Sequence, residues 1–408
     1  MKKVLFIYYH FPPIMGDWRG LGFVRLLPEF GWQPIVISAA ETVNYGKDYS
    51  LLEKVPNGIE IHRVGHHEPS GEWQYARSKL RINYAFPDYY KSWYSPALRQ
   101  ARMILQGEKV DLIFSSSPPY TSALIAMKLK KEFHIPWVTD WRDLWSGNEF
   151  LNRAYDETLI RPLRQLQKYR IRKAESNILQ AADKNIVVCW YQKNQLCALQ
   201  GIEERKIEVV TNGYDETDFK ELKAHALYPD KLTIVFLGSF YPDYQELTLE
   251  FLRMVNEIES TAEIVFIGQG MLALQGTHAK NLTFIHHLVK EKALAFASRS
   301  DFLFVVMPSY AKWIPLKIFE YLRLGKPILA LVPPDGDVAR ITEEAKAGFV
   351  ISHERDRMKQ QLGVIFDQWR EGEFKNFHPD WEYVAQYERR NLTRRLVDIF
   401  NDAIDLTK

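Results

Sequence analysis

Lys317 and Glu320 stand three residues apart in the segment Pro315–Ala330, PLKIFEYLRLGKPILA. The segment reads as a short helix, a stop and a buried strand. Pro315 suits the first helical position, where its missing N–H is no loss. Ile318, Phe319 and Leu322 form an apolar stripe at helical spacing. Gly325 is placed to take the left-handed conformation beyond the last turn, and Pro327 keeps the helix from resuming. A lysine in a first turn opposes the helix dipole, whose N-terminal end is already positive. Free N–H groups plus Lys317 make chemical sense around an anion, and phosphate is the usual one. Glu320 lies about 4.5 Å further along the axis. There its carboxylate could accept hydrogen bonds from ribose hydroxyls while Lys317 faces a diphosphate. The same two residues also fit an ordinary surface ion pair at i,i+3 spacing.

Other residues with chemical potential fall at the ends of apolar runs. The first run leads into HFPPIMGDWRG, where Gly16 would let backbone approach a phosphate and Arg19 could fork onto one. The alternative is an ordinary turn with a solvated Arg19. Gly20-Leu21-Gly22 invites a dinucleotide-fingerprint reading, but Arg25 stands where the third glycine belongs. Asp140, Arg142 and Asp143 lie among tryptophans in DWRDLW, as a polar site in an apolar cleft would. A helix cap by Asp143 with an Arg–Asp pair reads equally well. Asn212-Gly213 is a plain turn or a ligand-site loop. Gly238-Ser239 and Gly268-Gln269-Gly270 each permit close backbone approach to a nucleotide. Asp335-Gly336-Asp337 follows two prolines and reads as a turn and cap rather than a metal site. His66-His67 and His286-His287 lack a partner at zinc-ligand spacing.

The elements that must position these residues alternate. Strands are expected at Val4–Tyr9, Pro34–Ser38, Ile59–Val64, Asp111–Ser115, Trp137–Thr139 and Asn185–Val188. A second series is expected from Ile207–Val210, through Leu232–Leu237, Glu263–Ile267, Leu282–Ile285, Phe302–Met307 and Ile328–Val332, to Phe349–Ile351. Most are continuous β-branched and aromatic runs, as in parallel strands buried on both faces. Helical patterns separate them, which implies an α/β protein with doubly wound sheets. Asp380–Leu406 reads as one long amphipathic helix. Ligands of such sheets sit beyond the carboxyl ends of the strands, where the residues above fall.

The bulk numbers agree. The chain has 408 residues, too many for one ordinary core, so two domains are expected. A net charge of +2 gives no electrostatic case for nucleic acid. The two cysteines, Cys189 and Cys197, have no zinc or redox spacing, which suits a reducing compartment. The opening MKKVLFIYYHFPP reads as a first strand rather than a signal peptide, and no apolar stretch approaches 18 residues. Two regions break the rhythm. Residues 70–104 interleave aromatics with bases, and residues 161–173 hold six bases in one helical pattern. Lys and Arg attract anionic headgroups while Trp and Tyr favour the interface, so both regions suit an anionic membrane surface; a solvated basic face over aromatic core residues fits as well.

Together these segments resemble the retaining GT-B glycosyltransferases of the family 4 type, over nearly the whole chain. The opening strand with Gly16 and Arg19 looks like that family's glycine loop. SSSPPYTSALIA (115–126) followed by VTDWRDLW (138–145) is similar to a bacterial cell-envelope and polysaccharide subgroup with a D-x-R-D-x-W motif. VTNGYD (210–215) resembles the domain junction, and MPSYAKWIPLKIFEYLRLGKPILA (307–330) the donor-site signature. The resemblance implies two Rossmann-like domains facing a cleft: 1–205 on the acceptor side and 206–379 on the donor side, with a terminal helix, 380–408, packing back on the first. It implies a nucleotide diphosphate sugar as co-substrate, transfer of a hexosyl or N-acetylhexosaminyl group with retention to a glycan or lipid-linked acceptor, and no metal or other cofactor. Localisation would be cytoplasmic, peripheral at the inner face of the membrane. By position, Lys317 would meet the diphosphate and Glu320 the ribose, with Gly16, Arg19, Gly238 and Ser239 near the phosphates. Two departures stand out. Lys312 occupies the place of the first of two glutamates, and Ser116, Ser117 and Pro118 stand where a histidine is usual. Asp140, Arg142 or Asp143 would then supply the missing catalytic polarity. The departures also fit a non-catalytic nucleotide-sugar-binding homologue, and a sugar-nucleotide epimerase shares the two-domain plan.

Overall fold

Apolar β-branched runs become the strands of two parallel sheets. A computed structural model of the chain describes residues 1–14, 18–40, 46–67, 86–148, 161–220, 222, 228, 230–270, 274, 281–286 and 288–407. Two compact units share the chain, one made of Met1–Thr211 with Leu392–Lys408 and the other of Asn212–Asn391.

The first unit runs β1 (Lys2–Ile7), α1 (Trp18–Leu26), β2 (Trp32–Ala39), α2 (Ser50–Glu53), β3 (Glu60–Val64), α3 (Tyr94–Gly107), β4 (Leu112–Ser117), α4 (Thr121–Phe133), β5 (Trp137–Trp141), α5 (Arg161–Ala181), β6 (Lys184–Val187), α6 (Trp190–Gln200) and β7 (Ile207–Val209). The sheet order is β3-β2-β1-β4-β5-β6-β7, all parallel. Alternate residues of β1 serve opposite faces: Leu5 and Ile7 join one core, Val4 and Phe6 the other. That second core is closed by Leu396 and Phe400 of the terminal helix, Phe400 meeting Trp32 edge-on at 5.2 Å. Burying such side chains contributes about 1.5–3 kcal/mol each.

The second unit runs β8 (Thr233–Leu237), α7 (Gln245–Ile258), β9 (Glu263–Ile267), β10 (Leu282–Ile285), α8 (Lys290–Ala297), β11 (Phe302–Val306), α9 (Lys317–Leu324), β12 (Ile328–Leu331), α10 (Asp337–Glu344), β13 (Gly348–Ile351), α11 (Arg355–Glu371) and α12 (Trp381–Ala385). Its order, β10-β9-β8-β11-β12-β13, reverses direction between β8 and β11. That reversal makes the crevice where doubly wound sheets hold ligands.

Three expectations change. Ile207–Val209 does not open the second series: it pairs with β6 and ends the first sheet, since an apolar run carries no label for the sheet it joins. Strand β5 continues through Asp140 and Trp141, because Ser116 and Ser117 extend its ladder with β4. The terminal segment is two helices, α12 and α13 (Arg389–Asp405). Between them the backbone pairs with Tyr214, whose N–H donates to Tyr387 O at 3.1 Å and whose O accepts from Arg389 N–H at 2.9 Å. An interchain-style bridge of this kind requires an extended residue, so the helix breaks there.

Candidate functional site

At the switch point of the second sheet the ladder between β8 and β11 covers only Ile234–Val235 and Phe302–Leu303. Beyond it Tyr321 of α9 bridges the strands. Its hydroxyl accepts from Leu237 N–H at 2.8 Å and donates to Phe304 O at 3.2 Å. This anchors α9 with its first turn at the mouth of a cavity of about 570 Å³ lined by Gly238, Ser239, Gln269, Lys290, Lys317 and Glu320, among others. The volume lies within the range of small-molecule sites. No side chain caps α9; Ile318 and Phe319 N–H donate to Pro315 O and Leu316 O at 3.2 Å, and the positive end of the helix dipole lies at the cavity.

Lys317 opens this helix. Its Nζ lies 3.5 Å from the centroid of the Phe236 ring and makes no hydrogen bond or ion pair among the described residues. Protein surrounds it on most sides, which lowers its pKa to about 7; Glu320 opposes that shift. A window onto the cavity admits water to the ammonium and relieves part of the cost. Gly238 sits directly opposite with φ +96°, a conformation that favours glycine, and a Cβ there would lie 3.6 Å from Nζ. Gly268 and Gly270 have a different role. A Cβ on either would come within 2.1 Å of a carbonyl oxygen, of Gly238 and Phe240 respectively. Their freedom serves packing between the two loops.

Glu320 does not pair with Lys317. It meets Lys290 of α8 at 2.8 Å, and Lys290 also meets the buried Asp218 at 2.8 Å. The two carboxylates raise the Lys290 pKa against the lowering effect of its burial. Sequence spacing had no means of finding Lys290 or Asp218, which lie 30 and 102 residues from Glu320. Lys312 forms an ion pair with Asp335, and Gly336 occupies the N-cap of α10, so the Asp335-Gly336-Asp337 run is structural. Gly213 O accepts from Arg389 at 3.1 Å, and Asp215 caps a short 3-10 turn.

In the first unit the predicted residues separate. Arg19 and Asp140 are both buried and bound to each other, Nη2 to Oδ1 at 2.8 Å. Arg19 also donates to Thr211 O at 2.7 Å and Val210 O at 2.8 Å, while Ser116 donates to Asp140 at 2.8 Å. This network ties α1, β4, β5 and the end of the first sheet together. It gives both Arg19 and Asp140 buried partners inside the first unit. Gly20 belongs to the same packing: its missing Cβ leaves room for the Tyr8 ring. Gly16 lies outside the described residues.

Arg142 and Asp143 remain at the carboxyl end of β5. Arg142 donates to Pro118 O and lies 5.6 Å from the Tyr8 ring centroid. Asp143 is exposed. Surrounding protein raises its pKa, Arg142 lowers it, and its carboxylate makes no hydrogen bond among the described residues. His10 nearby is held neutral, its pKa pushed down to about 3 by burial and by Arg142. Among the described residues no group of three or more His, Cys, Asp or Glu could hold a metal ion. His66 instead bonds the Tyr9 hydroxyl at 2.8 Å, and His287 lies outside the described residues.

Residues 52–218 match the family described as Glycosyltransferase Family 4, and residues 231–366 match Glycosyl transferases group 1. No curated protein matches the chain. Among solved structures, Anabaena HepE in complex with UDP aligns over 98% of this chain and 100% of its own, with 11% identity and a TM-score of 0.66; it has also been solved with UDP-glucose. Sucrose-phosphate synthase from Thermosynechococcus elongatus aligns over 100% of both chains with 14% identity and a TM-score of 0.62. A putative UDP-N-acetylglucosamine 2-epimerase from Listeria monocytogenes covers 97% of this chain and 94% of its own, with 14% identity and a TM-score of 0.52. At these identities the likeness is one of fold.

Proposed function

The chain carries two glycosyltransferase domains of the GT-B type, and on that premise we propose that it moves a sugar from a nucleoside diphosphate sugar to an acceptor hydroxyl. One observation carries the donor half: the Lys317 ammonium, without a carboxylate partner among the described residues, at the positive end of α9, which no side chain caps. A diphosphate bound there supplies the missing anion. Gly238 and Ser239 bring backbone close to it, and Glu320, held by Lys290, accepts from the ribose hydroxyls.

As the bond from the anomeric carbon to the diphosphate oxygen lengthens, negative charge gathers on the leaving group. Lys317 and the helix terminus stabilise that charge more than the ground state, which is what accelerates the step. These groups replace a divalent ion in the proposed reaction. Retention of configuration, a hexosyl or N-acetylhexosaminyl group, and a glycan or lipid-linked acceptor in cell-surface polysaccharide synthesis complete the reading. Asp143, whose carboxylate makes no hydrogen bond among the described residues, is the group we assign to receive the acceptor's proton, with Arg142 next to it in the sequence. The protein would work at the cytoplasmic membrane face; no helix among the described residues is long and apolar enough to cross a membrane.

The test is release of nucleoside diphosphate from a panel of donors with an acceptor extract, with and without chelator. Wild type should turn over in chelator and Lys317→Ala should lose at least about a hundredfold, the scale of one transition-state donor. Equal rates would remove Lys317 from the reaction. Turnover without any acceptor, to an isomerised nucleotide sugar, would replace transfer by epimerisation. Donor binding with no turnover would mark a non-catalytic binder.

A further inference from the structure

The outer face of α5 combines bases with exposed apolar side chains. The helix has six bases, Arg161, Arg164, Lys168, Arg170, Arg172 and Lys173, and a single acid, Glu175. Glu175 cannot neutralise that face. It is fully buried and accepts from Trp145 N–H at 2.9 Å and Ser146 N–H at 3.1 Å. Three large apolar residues point outward instead: Leu163, Leu166 and Tyr169 are 42%, 53% and 61% exposed. At about 100° per residue, these three with Arg170 and Lys173 occupy one arc of about 120°. Arg172 and Lys173 make no ion pair among the described residues.

The surface continues along the helix. About 22 Å from Leu166, Ala181 joins Leu124 and Met127 in a groove of about 880 Å³ rimmed by Lys128 and Lys131. At the groove Lys128 is paired with Glu132 at 3.0 Å, but on α5 itself exposed apolar side chains stand among bases with its single acid buried, which matches a bilayer interface better than water.

We propose that this face of α5 docks on a bilayer carrying anionic lipid. Leu163, Leu166 and Tyr169 enter the headgroup–acyl boundary, and Arg170, Arg172 and Lys173 meet the negative headgroups. This extends the lipid-linked-acceptor reading, giving the acceptor's membrane a place on the first unit. An acidic protein would satisfy the bases but not three exposed apolar side chains; a second copy of the chain would bring bases against bases.

The experiment is flotation of the whole protein with vesicles of phosphatidylcholine alone, or of phosphatidylcholine and phosphatidylglycerol in equal parts, at low and high salt and without sugar nucleotide. Wild type should float with the mixed vesicles only, and high salt should weaken it. Arg170→Glu/Arg172→Glu/Lys173→Glu should weaken binding more than a hundredfold, at about fivefold for each base removed. Leu166→Ser/Tyr169→Ser should lose about tenfold or more. All five positions are exposed, though the Arg170 guanidinium lies 4.5 Å from the Phe86 ring centroid, so unchanged circular dichroism and donor binding serve to confirm intact folds, and Arg172→Glu/Lys173→Glu alone should still weaken binding about 25-fold. No flotation of wild type, equal flotation with neutral vesicles, or variants that float like wild type would overturn the proposal. So would a wild-type dimer that the variants dissolve without any vesicle binding. Each failure leaves the donor chemistry untouched, because the assay contains no donor.

Discussion

Titrating donor affinity against pH tests the assignment of Lys317 directly. In the free protein its pKa is lowered to about 7 from an ordinary 10.5. A diphosphate beside Nζ favours the charged form and returns the pKa toward its ordinary value. Binding therefore takes up a proton: affinity is full below pH 7 and falls as pH rises toward 10.5. At pH 7 about half the free protein has Lys317 charged, and at pH 9 about one hundredth does. The dissociation constant should then rise about 50-fold across that interval, equivalent to about 2.3 kcal/mol. Isothermal calorimetry in buffers of different ionisation enthalpy reads both the constant and the proton uptake. Lys317→Arg should flatten the profile, since a guanidinium stays charged, and Lys317→Met should flatten it at low affinity. A wild-type profile that is flat from pH 6.5 to 9, or a Lys317→Met variant with the same slope, refutes the diphosphate contact. The same burial costs stability in the empty protein. Folded Lys317 has the lower pKa, so the penalty is full below pH 7 and fades as pH rises to 10.5. Its upper limit is about 5 kcal/mol, reduced by water reaching through the cavity window. Lys317→Met should raise the empty protein's melting temperature at pH 7 while removing its donor affinity.

Lys290→Met removes a charge that lies between Asp218 and Glu320. It should raise the donor KM about tenfold with a smaller change in kcat, and destabilise by about 2 kcal/mol, below the 3–5 typical of fully buried pairs; a normal KM would show that Glu320 holds its position unaided. Arg19→Met leaves Asp140 charged and buried, and a loss of about 3–5 kcal/mol is expected in denaturant unfolding, with donor affinity unchanged in the folded fraction. A specific loss of donor affinity there would return Arg19 to the binding site. Gly268→Ala places a methyl within 2.1 Å of Gly238 O, and thermal unfolding should fall by several degrees; an unaltered melt would mean the loop yields freely.

The strands were legible because a parallel strand buried on both faces leaves an uninterrupted β-branched or aromatic run. Val4–Tyr9 and Phe302–Met307 read that way and form β1 and β11. What the pattern could not carry was partnership. Ile207–Val209 is a strand on either account, and only β6 beside it decides the sheet. The break between α12 and α13 follows from Tyr214, 173 residues before Tyr387, and no local signal records it. In the site, the helix, its glycine stop and the gathering of Gly238, Ser239, Lys317 and Glu320 at one cavity follow from strand ends and helical spacing. Lys317 and Glu320 share a helix, yet Glu320 takes a cation from α8, where Lys290 lies within 2.8 Å of both Glu320 and Asp218. Asp140 and Arg19 show what a strand end leaves open: a polar residue there is a ligand group or a strut, and their burial in one ion pair, which no sequence pattern records, gives them the second role at least.

Tyr321 sets a dimension that no ladder sets. Where β8 and β11 part, a single phenolic oxygen spans the gap, taking one hydrogen bond and giving another. The spacing of the two strands there is thus one hydroxyl wide, and the turn that carries Lys317 and Glu320 is fixed in register with both strands at once. A phenylalanine would keep the ring and lose the spacer, freeing the strands to close and the helix to rotate. Three consecutive needs of the site — a cation, an acceptor and a gauge for the width between strands — are met within five residues of one short helix.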